Sequence, residues 1–96
     1  MIKYSVQVTS HFELEFIKLS KKHTSLIVMF RQDVISVLSM DPLNKNKIYP
    51  IVKLKGVPEG QAQYRIKFDR FRFLYDVNGN VVYLKACSLR SESTYS

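Results

Sequence analysis

The chain has 96 residues, 46% of them apolar, and a formal charge of +7 from 15 Lys and Arg against 8 Asp and Glu. That length suits one domain with one modest core, and the apolar share excludes a disordered chain. A lone cysteine, Cys87, excludes an internal disulfide framework and fits a reducing cytoplasm. No CxxC or Cys/His cluster has the spacing of a zinc site, so neither a metal nor another cofactor is expected. No signal-like N-terminus is present, and no stretch approaches the roughly 18 apolar residues of a spanning helix. The expectation is a soluble cytoplasmic protein of one domain, residues 1–96, with no membrane contact.

Ile2, Tyr4, Val6 and Val8 alternate with polar residues, the period-2 pattern of a half-buried strand. The Ser10-x-x-Glu13 spacing reads as a capping box opening a helix, with Phe12, Phe16 and Leu19 as its apolar stripe. Lys21, Lys22 and His23 suit its C-terminus, where cations complement the dipole. Thr24 is placed to cap a second helix with the stripe Leu26, Ile27, Phe30, Val34, Val37 and Leu38, which Asp41-Pro42 stops. Asn44 to Pro50 reads as a polar connection, Ile51 to Lys55 as a short strand, and Gly56 to Gln61 as a loop. Tyr64 to Phe68, Phe71 to Val77 and Val81 to Ser88 read as three more strands, and Asn78-Gly79 is a strong hairpin signal. The fold class is therefore α+β: an N-terminal strand, a helical hairpin, then a mainly antiparallel sheet with the helices on one face.

Charge is unevenly spread. Residues 44–96 hold ten basic and four acidic side chains, against five and four in residues 1–43. Such a block is either a surface for a polyanion (RNA, DNA or an acidic protein) or a solvated basic face. A two-residue turn at Asp69-Arg70 sets Phe68 opposite Phe71, Lys67 opposite Arg72 and Ile66 opposite Phe73. Tyr64, Ile66, Phe68, Phe71, Phe73 and Tyr75 then share an apolar face, and Arg65, Lys67 and Arg72 share the other. A two-residue turn in the next hairpin adds Lys85 to the cationic face and turns Cys87, read as a small apolar strand residue, the same way. An odd-length loop would reverse Lys85. Like charges directly opposite one another are destabilising, so such a cluster favours an anion site. Arg90 and Tyr95 follow the last strand, offering a planar donor fork and a hydroxyl-bearing ring.

The stretch Tyr64-Arg65-Ile66-Lys67-Phe68-Asp69-Arg70-Phe71-Arg72-Phe73-Leu74-Tyr75, then Asn78-Gly79, an apolar strand and Arg90-Ser91-x-x-x-Tyr95, resembles RelE-type toxins of the RelE/ParE superfamily. Asp41-Pro42 after two helices and the Lys-Leu-Lys-Gly segment from Lys53 to Gly56 fit the same pattern, and the resemblance covers essentially the whole chain. It implies a RelE-like fold and the toxin of a type II toxin–antitoxin system. The implied activity is metal-free endoribonuclease cleavage of messenger RNA on the ribosome, held off by a cognate antitoxin protein, with DNA reached only through that partner. It implies a catalytic set of Arg65, Lys67, Arg72, Arg90 and Tyr95, with Lys53, Lys55 and Lys85 as RNA-binding residues. The ParE branch, which inhibits DNA gyrase without cleaving RNA, is the alternative. One departure stands out: many members carry Gly-Lys or Gly-His before the final arginine, where this chain has Ser88-Leu89.

Cleavage without metal needs a base for the ribose 2′-hydroxyl, positive charge on the phosphate and an acid for the leaving oxygen. His11 and His23 fall at helix ends, away from the cationic face, and read as surface or capping residues. Arginine does not give up its proton in proteins, so Arg65, Arg72 and Arg90 are read as phosphate clamps. Clustered cations favour the neutral form of a lysine or tyrosine among them. Lys67 is thus the candidate base and Tyr95 a second base or a stacking group, with Arg90 the resemblance-based acid.

Overall fold

The computed structural model describes residues 3–56 and 62–89. Strand β1 (Ser5–Val8) leads through Thr9 into helix α1 (Ser10–Lys22). Thr9, one residue before the expected cap, is the N-cap, and its hydroxyl accepts the Phe12 N–H at 3.2 Å. Its threonine hydroxyl also donates to the Leu84 carbonyl, which ties the start of the helix to the sheet. His23 caps the other end, donating its N–H to the Leu19 carbonyl and setting its ring edge-on to Phe71.

The second helical run comprises α2 (Ser25–Met29), a widened π turn (Phe30–Val34) and α3 (Ile35–Met40). The sequence supplies a reason. Leu26, Phe30, Val34 and Leu38 recur every fourth residue, a spacing that drifts off one face of a 3.6-residue helix. One widened turn resets the drift, and Leu26, Val34 and Leu38 all reach full burial. Thr24 precedes the run but makes no side-chain cap bond. Asp41 ends it, and its carboxylate then organises the connection by accepting the N–H groups of Lys45 and Asn46 and the Asn46 side-chain amide.

The remaining strands are β2 (Ile51–Lys53), β3 (Tyr64–Phe68), β4 (Phe71–Asn78) and β5 (Val81–Leu89). Strand β2 is two residues shorter than expected, although the Leu54 N–H still bonds the Gln63 carbonyl. The sheet runs β1-β5-β4-β3-β2, antiparallel except for β1, which lies parallel to β5. Nothing in the sequence reading placed β1 beside β5.

Both helical runs cover one face of this sheet. Phe12, Leu26, Val34 and Leu38 from the helices meet Ile66, Phe71, Phe73, Tyr75, Val82, Leu84 and Cys87 from the strands, all buried. Phe12, Phe30 and Phe73 lie 5.6–6.4 Å apart between ring centres, within the range of favourable aromatic pairing. Tyr75 stacks on Tyr64 and donates its hydroxyl to the Pro42 carbonyl, which fastens β4 to the end of the second helical run. Burial pushes the Tyr75 hydroxyl well above the ordinary tyrosine range, with Tyr64 and Asp41 adding to it. Among the described residues, no helix is long and apolar enough to cross a membrane.

Candidate nucleic-acid interface

The β3–β4 register is the expected one: Phe68 faces Phe71, Lys67 faces Arg72 and Ile66 faces Phe73. Asp69 makes the two-residue turn possible by adopting φ of 56°, the left-handed region that Asp tolerates better than most residues. Pairing then carries Arg65 opposite Leu74, with Val52 of β2 on its other flank. Lys67, Arg72, Arg65, Leu74 and Val52 stand on the side away from the helices.

Two rows therefore cross the open face. One holds Lys67, Arg72 and Ser88, and the next holds Val52, Arg65, Leu74 and Ala86. Arg65 and Arg72 are diagonal neighbours across the ladder, so three cations lie within about 8 Å of one another in backbone terms. Arg65, Lys67 and Arg72 are each half-buried. The Nε of Arg65 is buried and meets no acceptor among the described residues. Desolvating a charged donor without an acceptor costs free energy.

The third hairpin departs from expectation. Asn78 faces Val81 across a two-residue turn in which Gly79 takes φ of 63°. Pairing is regular as far as Tyr75 opposite Leu84, and then Leu74 faces Ala86 rather than Lys85. Lys85 is the extra residue of a β-bulge, half-buried at the shift, and the expected position opposite Leu74 falls to Ala86. Downstream, every side chain changes sides. Ser88 replaces Cys87 opposite Arg72, and Cys87 points into the core, 2% exposed. Its N–H donates to Glu15 of α1 at 2.8 Å, and burial, with the Glu15 charge second, pushes its thiol up to about 12. Placing Cys87 on the cationic face is thus corrected.

Two of the lysines expected to bind RNA lie towards the β2 edge of the sheet. Lys53 faces Tyr64, on the helix side of the ladder, and Lys55 lies beyond the end of β2. Both are exposed, so they contribute charge at the rim and not a contact beside Arg65. Arg90 and Tyr95 lie outside the described residues. His11 is exposed and 3.4 Å from Glu15, and His23 is the helix cap, both away from the cationic face as expected.

One group on this face escaped the sequence reading. Asp76 faces Tyr83, and Tyr83 faces Gln7 of β1. Asp76 shares alternation with Arg72 along β4, so the signal was present in the strand's own period. The open face is thus polarised, with cations towards the β3–β4 turn and an acid, a phenol and an amide towards β1. Among the described residues, no three His, Cys, Asp or Glu side chains converge as a metal-holding group.

No protein-family model and no curated protein sequence matches the chain. Solved structures do. Pyrococcus horikoshii RelE, from the archaeal RelE–RelB complex, is 22% identical, with a TM-score of 0.64 over 95% of this chain and 99% of that one. A chain of the Mycobacterium tuberculosis RelBE2 toxin–antitoxin complex is 20% identical, with a TM-score of 0.67 over 93% and 100%. YafQ from E. coli is 11% identical, with a TM-score of 0.65 over 96% and 97%. At these identities it is the fold that is shared: the strand, helical hairpin and five-stranded sheet of this chain form a RelE-like toxin fold.

Proposed function

We propose that this chain is the toxin of a type II toxin–antitoxin system and that it cleaves messenger RNA on the ribosome without a metal cofactor. The observation that carries this reading is Lys67 directly opposite Arg72, with Arg65 diagonal to it, on the one sheet face the helices leave open. A structural ladder would alternate signs there, whereas a phosphodiester offsets the repulsion of three cations. The fold shared with RelE and YafQ toxins supports the same reading.

In this scheme Lys67 takes the proton of the ribose 2′-hydroxyl, whose oxygen attacks the adjacent phosphorus. Arg65, Arg72 and Arg90 clamp the phosphate and hold the charge that grows on it. The bond to the 5′-oxygen breaks, and that oxygen receives a proton through water held by Arg90. Tyr95 serves as a second base or stacks on a base. The products carry a 2′,3′-cyclic phosphate and a 5′-hydroxyl. Lys53, Lys55 and Lys85 draw RNA towards the groove, with the ribosome supplying orientation. The partner is an antitoxin, acidic enough to match the basic half, and the compartment is the cytoplasm.

The test is a paired assay of purified protein, with translating ribosomes in one tube and DNA gyrase with supercoiled plasmid in the other. Messenger cleavage leaving 5′-hydroxyl ends is the expected result. Gyrase inhibition with intact messenger would establish the ParE-like activity instead, and 5′-phosphate ends would overturn the mechanism.

A further inference from the structure

Towards β1 the open face changes character. Beyond the row of Arg65, Leu74 and Ala86, Asp76 of β4 stands opposite Tyr83 of β5, and Gln7 of β1 bounds the row. Asp76 and Tyr83 are half-buried. One Asp76 oxygen accepts the Val77 N–H at 2.9 Å. Among the described residues, the other oxygen and the Tyr83 hydroxyl meet no hydrogen-bonding group, and no cation pairs with Asp76. In a chain of charge +7, an acid left unpaired on the cationic face is not there for charge balance.

The spacing along β4 matches one nucleotide. Arg72, Leu74 and Asp76 succeed one another on the open side, and four residues of strand span about 13 Å. A nucleotide whose phosphate rests between Arg65 and Arg72 can lie along the strand, its base over Leu74 and Ala86. Its Watson–Crick edge, the end farthest from the phosphate, then meets Asp76 and Tyr83. Single-stranded RNA is commonly read in this way, with a base laid on side chains and hydrogen-bonded at its edge.

Charge and hydrogen bonding select the base. A carboxylate only accepts, so it suits an edge made of donors. Guanine presents two there, N1–H and N2–H, side by side. Adenine and cytosine present a donor beside an acceptor, and uracil a donor between acceptors. The Tyr83 hydroxyl, one strand away from Asp76, is placed to donate to guanine O6. A phosphate is repelled by Asp76, which keeps the RNA backbone at the cationic end. We infer that Asp76 and Tyr83 form a base-reading subsite that selects guanine at the nucleotide whose phosphate the cations hold. The inference rests on the proposed function, which puts RNA on this face.

The test is cleavage on ribosomes of messengers that carry each base in turn on either side of the cleaved bond, read by sequencing the 5′-hydroxyl ends. Wild type favours guanine on one side on the order of 10-fold, the scale of a good bidentate base contact. Asp76→Asn keeps an oxygen for the Val77 N–H but replaces an acceptor with a donor. It lowers cleavage of guanine messengers about 10-fold and moves the preference to adenine, which sets an acceptor beside its donor. Tyr83→Phe disturbs no bond among the described residues and reduces the guanine preference about 3-fold, so it serves even if Asp76→Asn does not fold. A folded Asp76→Asn protein with the wild-type preference, or one that loses the same factor on every messenger, overturns the subsite and leaves the proposed function standing. A wild type indifferent to both flanking bases does the same. A folded wild type that cleaves no messenger overturns the proposed function and the subsite with it.

Discussion

Along β4, Phe71, Phe73 and Tyr75 are buried against the helices, whereas Arg72, Leu74 and Asp76, interleaved with them, stand on the open side. The first set touches aromatic rings and aliphatic side chains, and the second is half-buried on the face away from them. A single strand thus carries the core on one side and, in the proposed function, recognition on the other, distinguished only by odd and even position. Substitutions one residue apart should therefore fail in different ways.

The sharpest way to break this contrast is to truncate Phe73, which is fully buried and packs on Phe12 and Phe30. Phe73→Ala should cost about 3–5 kcal/mol, a large part of the roughly 5–15 kcal/mol that holds a small domain together. Urea unfolding should show the midpoint falling accordingly, and a loss below about 1 kcal/mol would mean the core is not centred where these contacts put it.

Its neighbour should behave in the opposite sense. Arg72→Ala should leave the melting temperature within a few degrees of wild type and lower turnover about 10²–10³-fold, roughly 2.7–4 kcal/mol in the transition state. Arg72→Lys should recover only part, because a point charge does not reproduce the bidentate fork. Single-turnover cleavage on ribosomes separates these outcomes, and an Arg72→Ala protein that unfolds would collapse the division of labour between the two sides.

A smaller effect is expected at the rim. Replacing Lys53 and Lys55 together with Ala should weaken RNA affinity and flatten its salt dependence while leaving turnover at saturation intact. Both side chains are exposed and neither flanks Arg65, so a collapse of turnover would show that the groove extends further than the pairing indicates.

The smallest effect concerns Cys87, on the buried side. Its thiol is pushed up to about 12 by burial first and Glu15 second, against about 8.5 in an unfolded chain. The unfolded state therefore loses this proton first as pH rises. The stability it contributes is complete below about pH 8.5 and is lost progressively up to about pH 12. Wild type should lose stability more steeply than Cys87→Ala across that window, and the folded thiol should resist a disulfide reagent at pH 8. Rapid labelling under native conditions would return Cys87 to the open side.

What could be read in the sequence was whatever depended on neighbours along the chain. The Phe68–Phe71 pairing followed from a two-residue turn and strict alternation, so the Lys67–Arg72 contact was legible before any coordinates. The bulge was not, because Leu84-Lys85-Ala86 has no glycine or turn residue to mark it, and the register error it caused put Cys87 on the wrong side. Thr9 and Ser10 are both good caps, and only the bond back to Leu84 decides between them. The parallel seat of β1 depends on contacts some 75 residues apart in sequence, which no local pattern encodes. Asp76 and Tyr83 follow from the same alternation that places Arg72 and were readable from it.

The bulge at Lys85 also matters for anyone recombining proteins of this fold. It acts as a frameshift in side-chain orientation, invisible in composition and one residue long. A chimera that keeps this chain to Leu84 and takes its last strand from a bulge-free relative would present every later residue to the opposite side. Its sequence would look conservative position by position. To remain functional, the graft must carry the inserted residue with it, and an alignment that closes that single gap would assign the wrong residues to the groove.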